Sequence, residues 1–182
     1  AAVICIEDPI REEACDVIGE LRKEGFKHIV MMTGDSERTA RAVAKQLGIT
    51  EYYSEVLPED KAAFVKRAHE NGRRVVMIGD GVNDAPALSE SDAGVAVSSG
   101  AAITREIADI TITADDLYSL ITMKRLSDRL MRRIHGNYRF IMSFNTALIV
   151  LGVAGVLPAS TSALLHNTST LAISLKSMTD LL

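Results

Sequence analysis

Short apolar runs alternate with helical patterns along the first two-thirds of this 182-residue chain, and this alternation constrains the fold more than any other feature. The runs typical of strands are AVICI, HIVMM, YYSEV, RRVVMI, DAGVAV and ITIT. Helical patterns lie between most of them, and strands separated by helices of about ten to fifteen residues indicate βαβ units. We therefore predict an α/β fold with a mostly parallel, Rossmann-like sheet and flanking helices over residues 1–116.

Local signals predict where several helices begin and end. The pattern REEACDVIGELRKEG ends at Gly25, SERTARAVAKQLG begins with Ser36 as its N-cap, and PEDKAAFVKRAHENG begins with Pro58. A further helical pattern, AAITREIAD, precedes the strand ITIT. Each of these helices connects two predicted strands, as a parallel sheet requires.

Charge and cysteine content exclude some classes of function. The formal net charge of −4 provides no basic excess to neutralise phosphates, so we expect no nucleic acid as a partner. Cys5 and Cys15 have neither a CxxC arrangement nor a histidine close by. The sequence therefore predicts neither a zinc site nor a disulfide framework.

The character of the sequence changes after residue 116. Residues 117–139 predict a basic helix, and residues 140–157 form an apolar run without a charge that is long enough to cross a bilayer core. A turn at PASTS precedes the weaker apolar run ALLHNTSTLAISLKSMTDLL. We predict a transmembrane helical hairpin over residues 140–182 with the basic helix on the cytoplasmic side; a pair of buried core helices is the alternative.

Polar side chains interrupt both apolar runs. Asn145 lies in the first run, and His166 and Asn167 lie in the second. Inside a membrane each would need an internal partner or a ligand. We predict that these residues form a site on a transport path, and hydrogen bonding between the two helices is the alternative.

The motif GDGVNDAPAL follows the predicted strand RRVVMI, at the end of the strand where α/β sheets bind ligands. Asp80 and Asp84 would bring two carboxylates together, and their repulsion favours a shared cation. Oxygen-rich sites of this kind suit Mg²⁺. Gly79 and Gly81 are predicted to allow a tight turn, and Asn83 can donate a hydrogen bond to an anion.

Two further segments predict a phosphate site. Thr33, Gly34 and Asp35 follow the run HIVMM and precede a helix, so a hydroxyl and the N–H groups of a helix N-terminus can bind a phosphate there. Lys61 begins another helix and can place a positive charge beside a phosphoryl group. Together with the aspartate motif, these segments predict a phosphoryl-transfer site assembled at the ends of successive strands.

The segments DPIR, MMTGDSERTARAVAKQLGI, PEDK and above all GDGVNDAPAL resemble the C-terminal half of a P-type ATPase. The closing segment LLHNTSTLAISLKSM is similar to the last helix of the heavy-metal-translocating branch. The resemblance implies a haloacid-dehalogenase-like phosphorylation domain over 1–116, a basic juxtamembrane helix over 117–139 and two transmembrane helices over 140–182. It also implies a multi-pass protein of the cell membrane whose phosphorylation domain lies in the cytoplasm.

The resemblance implies a role for each site residue. Thr33 would hydrogen-bond the phosphoryl group, Lys61 would stabilise it, and Asp80 would help to hold Mg²⁺. Asn83 and Asp84 would complete the hinge and the metal shell. The expected cofactors are ATP and Mg²⁺, both bound by the complete pump.

The resemblance also implies roles for residues next to this site and a class of transported ion. Gly34 belongs to the same catalytic segment, and Asp35 and Asp8 would be structural or nucleotide-facing neighbours. Imidazole and amide ligands suit a divalent ion such as Zn²⁺, Cd²⁺, Co²⁺ or Mn²⁺, and the two helices contain no thiolate for Cu⁺. We expect a divalent heavy metal as the cargo.

The chain departs from the family in one respect that decides its activity: the nucleophile motif DKTGT is absent. The nucleotide-binding domain and the earlier helices of the family are absent as well. We therefore expect a fragment that is inactive alone and that needs the N-terminal half of the pump and a lipid bilayer as partners. A membrane-anchored regulatory module and a soluble phosphatase are the alternatives, although the phosphatase would need a DxD nucleophile where only Asp8 is found.

Overall fold

The computed structural model describes residues 10–79, 82–97, 107–112 and 116–179. Contacts divide the chain into two compact units, Ala1–Thr122 and Met123–Leu182. The predicted division at residues 116 and 139 stays a prediction.

Helices and strands alternate in the first unit, largely as the sequence predicts. In its first half the elements are α1 (Ala14–Lys23), β1 (Val30–Met32), α2 (Glu37–Gln46), β2 (Glu51–Tyr53) and α3 (Pro58–Glu70). In its second half they are β3 (Val76–Gly79), a 3₁₀ turn (Val82–Asp84), α4 (Ala85–Glu90), β4 (Ala93–Val97) and β5 (Ile110–Ile112).

All strand pairs are parallel, which confirms the α/β class. β1 pairs with β2, and β3 pairs with β4, which pairs in turn with β5. The described residues thus form two sheets, β1–β2 and β3–β4–β5, where the sequence predicted one. The sheets are separate because β1 and β3 do not pair with each other, and each keeps one edge that pairs with no described strand.

One core cluster of the first unit is contributed by α3, β3 and α4. It comprises Val65, Met77, Ala87 and Leu88, all of them buried. Met32 of β1 packs against the same cluster, so the two sheets share one core. Burying a valine, leucine or methionine side chain stabilises a fold by about 1.5–3 kcal/mol.

Most helix ends lie close to the predicted signals. Gly25 follows α1 with φ of +100°, and its N–H donates to the carbonyl of Arg22. α3 begins at Pro58, as predicted. Ser36 occupies the predicted N-cap of α2 in an extended conformation, but its hydroxyl contacts Thr39 Oγ1 at 3.2 Å instead of a backbone N–H.

Two predicted elements are largely outside the described residues, and one observed helix was not predicted. The strand AVICI and most of the helix AAITREIAD lie outside the described residues. The helix α4 was not predicted at all. It has six residues, fewer than two turns, so its sequence contains too little periodicity to reveal a helix.

Asp92 joins the end of α3 to the start of the second sheet. Its Oδ2 accepts a hydrogen bond from the Val75 N–H at 2.7 Å and contacts His69 Nε2 at 2.9 Å. The hydrogen bond from Val75, assisted by His69, holds the pKa of the Asp92 carboxyl below its usual value. This anchor is therefore in place at neutral pH and is lost as the pH falls through that lowered pKa.

Two long helices complete the chain, α5 (Tyr118–Val153) and α6 (Ala159–Ser177). The chain reverses at Gly155, which has φ of +72°, and the N–H of Val156 donates to the carbonyl of Leu151 at 3.0 Å. The turn predicted at PASTS is therefore wrong in position. Pro158 is the extended N-cap of α6, and the residues after it already belong to the helix.

Polar contacts hold these helices antiparallel within the second unit. Arg133 donates to the carbonyls of Ser177 at 3.1 Å and Thr179 at 2.6 Å, and Asn137 Nδ2 donates to Ser177 Oγ at 2.8 Å. The last carbonyls of a helix lack partners within the helix, and a guanidinium at that end also complements the helix dipole. Arg133 thus caps α6 from the neighbouring helix.

The prediction of a transmembrane hairpin is not supported. Two helices lie where it was predicted, but over the part of the chain that the structure describes, none has both the length and the apolarity needed to cross a membrane. The physical reason lies in their length and composition. Only residues 140–153 of the first apolar run lie in α5, and α6 contains a polar run from His166 to Thr170.

Candidate phosphate and magnesium site

The loops that follow β1 and β2 run side by side. The N–H of Thr33 donates to the carbonyl of Tyr53 at 3.0 Å, and the N–H of Val56 donates to the carbonyl of Thr33 at 3.0 Å. The N–H of Glu55 donates to the carbonyl of Asp35 at 2.9 Å. These three backbone bonds fix the predicted phosphate loop against the segment that leads into α3.

Within this loop, the side chains of Thr33 and Asp35 bind each other. The Thr33 hydroxyl donates to Asp35 Oδ2 at 3.0 Å and accepts from the Asp35 N–H at 3.1 Å. Gly34 between them is exposed, and a Cβ at this position would have only the Val56 carbonyl oxygen near it, at 3.9 Å. The structure therefore brings Thr33 and Asp35 together and leaves the loop open to solvent.

Lys61 and Asp84 form a largely buried ion pair. Lys61 Nζ donates to Asp84 Oδ1 at 2.7 Å, and the side chains are 14% and 11% exposed. Lys61 comes from the first turn of α3, and Asp84 ends the 3₁₀ turn after β3. The contact is possible because α3 packs against α4 and the turn before it.

The second oxygen of Asp84 accepts no hydrogen bond from the part of the chain that the structure describes. Asp84 is the one buried polar residue of the described chain, and no described residue donates to its Oδ2. Burying such an oxygen unpaired is costly, which favours a ligand at this point. A hard carboxylate oxygen of this kind suits Mg²⁺.

Gly79 leaves the space that Asp84 occupies. A Cβ on Gly79 would lie 2.6 Å from Asp84 Cβ and 2.8 Å from its Oδ2. Gly79 lies in β3 and does not have a positive φ, so the predicted reason for this glycine, a tight turn, is wrong. Close approach of the carboxylate is the reason that the structure gives.

The other residues of the aspartate motif are only partly described. Asn83 lies exposed in the 3₁₀ turn. Asp80 and Gly81 lie outside the described residues, as does Asp8. In the described ranges, no three His, Cys, Asp or Glu side chains are grouped so that they could hold a metal, and the pairing of Asp80 with Asp84 stays a prediction.

In the second unit, two of the three predicted ion ligands meet. His166 Nδ1 lies 2.9 Å from Asn145 Oδ1, so the contact joins α6 to α5. Asn167 is exposed on α6, and no described residue hydrogen-bonds its side chain. This contact also fits the alternative of helix-to-helix hydrogen bonding, and an ion path stays a prediction.

Glu37 is a residue beside the site that was not predicted. Its carboxylate accepts hydrogen bonds from Ser54 at 2.8 Å, from Tyr52 at 2.9 Å and from Arg41 at 3.1 Å. The hydrogen bond from Ser54, then that from Tyr52, holds the pKa of the Glu37 carboxyl below its usual value. One signal existed in the sequence, since Tyr52 and Ser54 alternate as residues on one face of a strand do, although β2 ends at Tyr53.

Known proteins share much of this sequence. Residues 1–92 match the haloacid dehalogenase-like hydrolases. A manganese-exporting P-type ATPase of Mycobacterium tuberculosis is 40% identical over 172 residues, which are 94% of this chain and 24% of that protein. A probable copper-exporting P-type ATPase V of the same organism is 42% identical over 155 residues, which are 85% of this chain and 20% of that protein.

A solved structure is similar over almost the whole chain. It is the crystal structure of a zinc-transporting PIB-type ATPase in its E2.Pi state, with a TM-score of 0.87 and 31% identity over 93% of this chain and 28% of that one. The chain thus spans about a quarter of the length of the proteins that it resembles. The names of these proteins include three different metals.

Proposed function

Because the chain belongs to the haloacid dehalogenase-like hydrolase family, we propose that its α/β unit binds the transferred phosphoryl group in an ATP-driven heavy-metal transporter of the P-type. The identity to two transporters of this type supports the proposal. The observation that carries it is the buried Lys61–Asp84 pair. Since apolar residues often replace such a pair without loss of stability, its presence favours a chemical role.

Three side chains would contact the phosphoryl group. The Thr33 hydroxyl turns from Asp35 toward a phosphoryl oxygen, as a freely rotating O–H group can. Lys61 donates one N–H to Asp84 among the described residues, and the others can reach the phosphoryl group. Asn83 adds its exposed amide. Donors fixed in advance stabilise the charge that develops on the phosphoryl oxygens.

Asp84 would hold Mg²⁺ together with Asp80, through the oxygen that no described residue contacts. When bound, the ion withdraws charge from the phosphoryl oxygens and helps to orient the group. Lys61 holds the carboxylate of Asp84 in place, and Gly79 keeps its space clear. The chain thus contributes the phosphate-binding half of the reaction.

The nucleophile would come from the rest of the transporter, because DKTGT is absent from this chain. β1 and β3 each have an edge that pairs with no described strand, and Met32 and Met77 of these strands lie in one core. We propose that a strand bearing the phosphorylated aspartate adds at these edges. The 182 residues alone would then neither form the acyl phosphate nor transport an ion.

The α5–α6 hairpin would belong to the membrane part of the transporter, with lipid and the remaining helices covering it. This assignment is supported by its exposed apolar side chains, among which Ile149 is 66%, Val150 is 59% and Leu164 is 66% exposed. Asn145 and His166 would contact the ion on its path, with Asn167 beside them. Imidazole and amide oxygen favour a divalent ion such as Zn²⁺, Cd²⁺, Co²⁺ or Mn²⁺.

The test is metal-stimulated ATP hydrolysis by the complete transporter. One of these divalent ions should stimulate hydrolysis, and His166→Ala should reduce that stimulation by about tenfold or more, as disturbance of a metal shell does. His135→Ala is the matched control, because His135 is an exposed histidine of α5 outside the contact with Asn145. It should leave stimulation unchanged.

Two results would contradict the proposal. If no metal stimulates hydrolysis, the chain does not serve a metal transporter. If a metal stimulates the His166→Ala variant as fully as the unchanged protein, the ion does not depend on the Asn145–His166 contact.

A further inference from the structure

Glu37 stands between the two halves of the phosphate site. It is the first residue of α2, directly after the loop that contains Thr33. Its carboxylate accepts hydrogen bonds from Tyr52 in β2 and from Ser54 in the loop that leads to Lys61. One side chain therefore joins the Thr33 loop to the Lys61 loop.

The bonds of Glu37 are arranged as a closed network. Arg41, one turn along α2, donates to Glu37 Oε1 at 3.1 Å and to the Tyr52 hydroxyl at 3.2 Å. Tyr52 in turn donates to the same Glu37 oxygen at 2.9 Å. Ser54 occupies the other oxygen. Both carboxylate oxygens thus have donors, and these donors fix the rotation of the side chain.

The network is too exposed to be explained by stability alone. The side chain of Glu37 is 51% exposed and that of Arg41 is 73% exposed. Exposed ion pairs contribute little to the stability of a fold. A carboxylate with three donors can still fix geometry, and a displacement of about 1 Å at a reacting group is enough to change rates or affinities strongly.

We propose that Glu37 is a positioning residue, which fixes the Thr33 loop against the Lys61 loop so that both contact one phosphoryl group. This inference rests on the proposed phosphoryl-binding function. Glu37 itself does not touch the phosphoryl group. It acts through Tyr52 and Ser54, in parallel with the backbone bonds between the loops.

The experiment measures inhibition of the complete transporter by orthovanadate, which mimics a phosphoryl group during transfer. Glu37→Ala should raise the half-inhibitory concentration about tenfold, because the loops lose their shared acceptor. Glu37→Gln should give an intermediate value, since the amide keeps one acceptor oxygen. Ser54→Ala should act in the same direction, and its combination with Glu37→Ala should add little.

The matched control is Glu51→Gln. Glu51 lies on β2, the strand of Tyr52, and its carboxylate accepts a hydrogen bond from the Tyr53 hydroxyl at 3.3 Å, outside the network of Glu37. This variant should have unchanged vanadate inhibition. The melting temperature of every variant should equal that of the unchanged protein, because the network is exposed.

The outcomes separate this inference from the function on which it rests. If Thr33→Ala weakens vanadate inhibition but Glu37→Ala does not, the positioning role is wrong and the proposed function stands. If Glu37→Ala lowers the melting temperature and leaves inhibition unchanged, Glu37 is only structural. If Thr33→Ala has no effect either, the proposed phosphoryl site is itself wrong.

Discussion

Replacing Asp84 by alanine is expected to destabilise the α/β unit by about 3–5 kcal/mol, because Lys61 would remain largely buried without its partner. The free energy of local opening can be measured from hydrogen exchange of the amides of β3 and β4. These amides should exchange much faster in the variant. Gly79 at the end of β3 lies against Asp84, and Met77 of β3 and Val95 of β4 are buried.

The control removes both charges at once. The double variant Lys61→Met with Asp84→Leu should be about as stable as the unchanged chain, since apolar groups of similar size replace a buried pair at little cost. If Asp84→Ala and the double variant lose the same stability, the charge pairing has no special role. Equal exchange in all three proteins would contradict the burial of the pair.

Replacing Gly79 by alanine is expected to displace Asp84 and to abolish most phosphoryl transfer by the complete transporter. The new Cβ would lie 2.6 Å from Asp84 Cβ, a distance that real contacts do not show, so one of the two residues must move. Overpacking of this kind costs about 1–3 kcal/mol. Hydrogen exchange of the β3 amides and the rate of ATP hydrolysis measure the two effects.

Gly19→Ala is the matched control for this substitution. Gly19 lies inside α1, has no positive φ, and a Cβ there would meet no atom within 4 Å. Alanine in a helix interior is about 0.5–1 kcal/mol more favourable than glycine, so this variant should be slightly stabilised. A Gly79→Ala protein that is as stable and as active as Gly19→Ala would show that the space beside Asp84 is not needed.

The order of elements could be predicted from the sequence because strands and helices differ in the period of their apolar residues. Each predicted strand from HIVMM to ITIT overlaps one of the strands β1 to β5, although YYSEV shares only Tyr52 and Tyr53 with β2. The division into two sheets could not be predicted, since it depends on which strand edges meet. α4 was missed because six residues show too little periodicity.

In the candidate site, too, the sequence could not predict which side chains from distant segments contact each other. The motifs identify Lys61 and Asp84 separately, but these residues are 23 positions apart and meet only because α3 packs against α4. The role of Gly79 also depends on the position of Asp84. A sequence motif cannot distinguish a glycine needed for a backbone turn from a glycine needed because another side chain occupies the space of a Cβ. Glu37 was missed because two of its partners, Tyr52 and Ser54, lie fifteen or more residues away in another segment.

The apolar segments near the C-terminus were predicted as helices correctly, but their predicted role is not supported. Counting uncharged residues over 140–157 gave a length that suits a bilayer. The helices do not follow those limits. α5 begins far upstream in the basic stretch and ends at Val153, before the apolar run does.

The most direct measurement is phosphorylation of the complete transporter by radiolabelled ATP, with the Asp84→Asn variant beside the unchanged protein. Asparagine keeps the size of Asp84 but removes the charge that pairs with Lys61 and would hold Mg²⁺. We predict an acid-stable, hydroxylamine-labile phosphoprotein from the unchanged transporter and almost none from the folded variant. Equal labelling of both proteins would contradict the assignment of Asp84 and Lys61 to phosphoryl transfer.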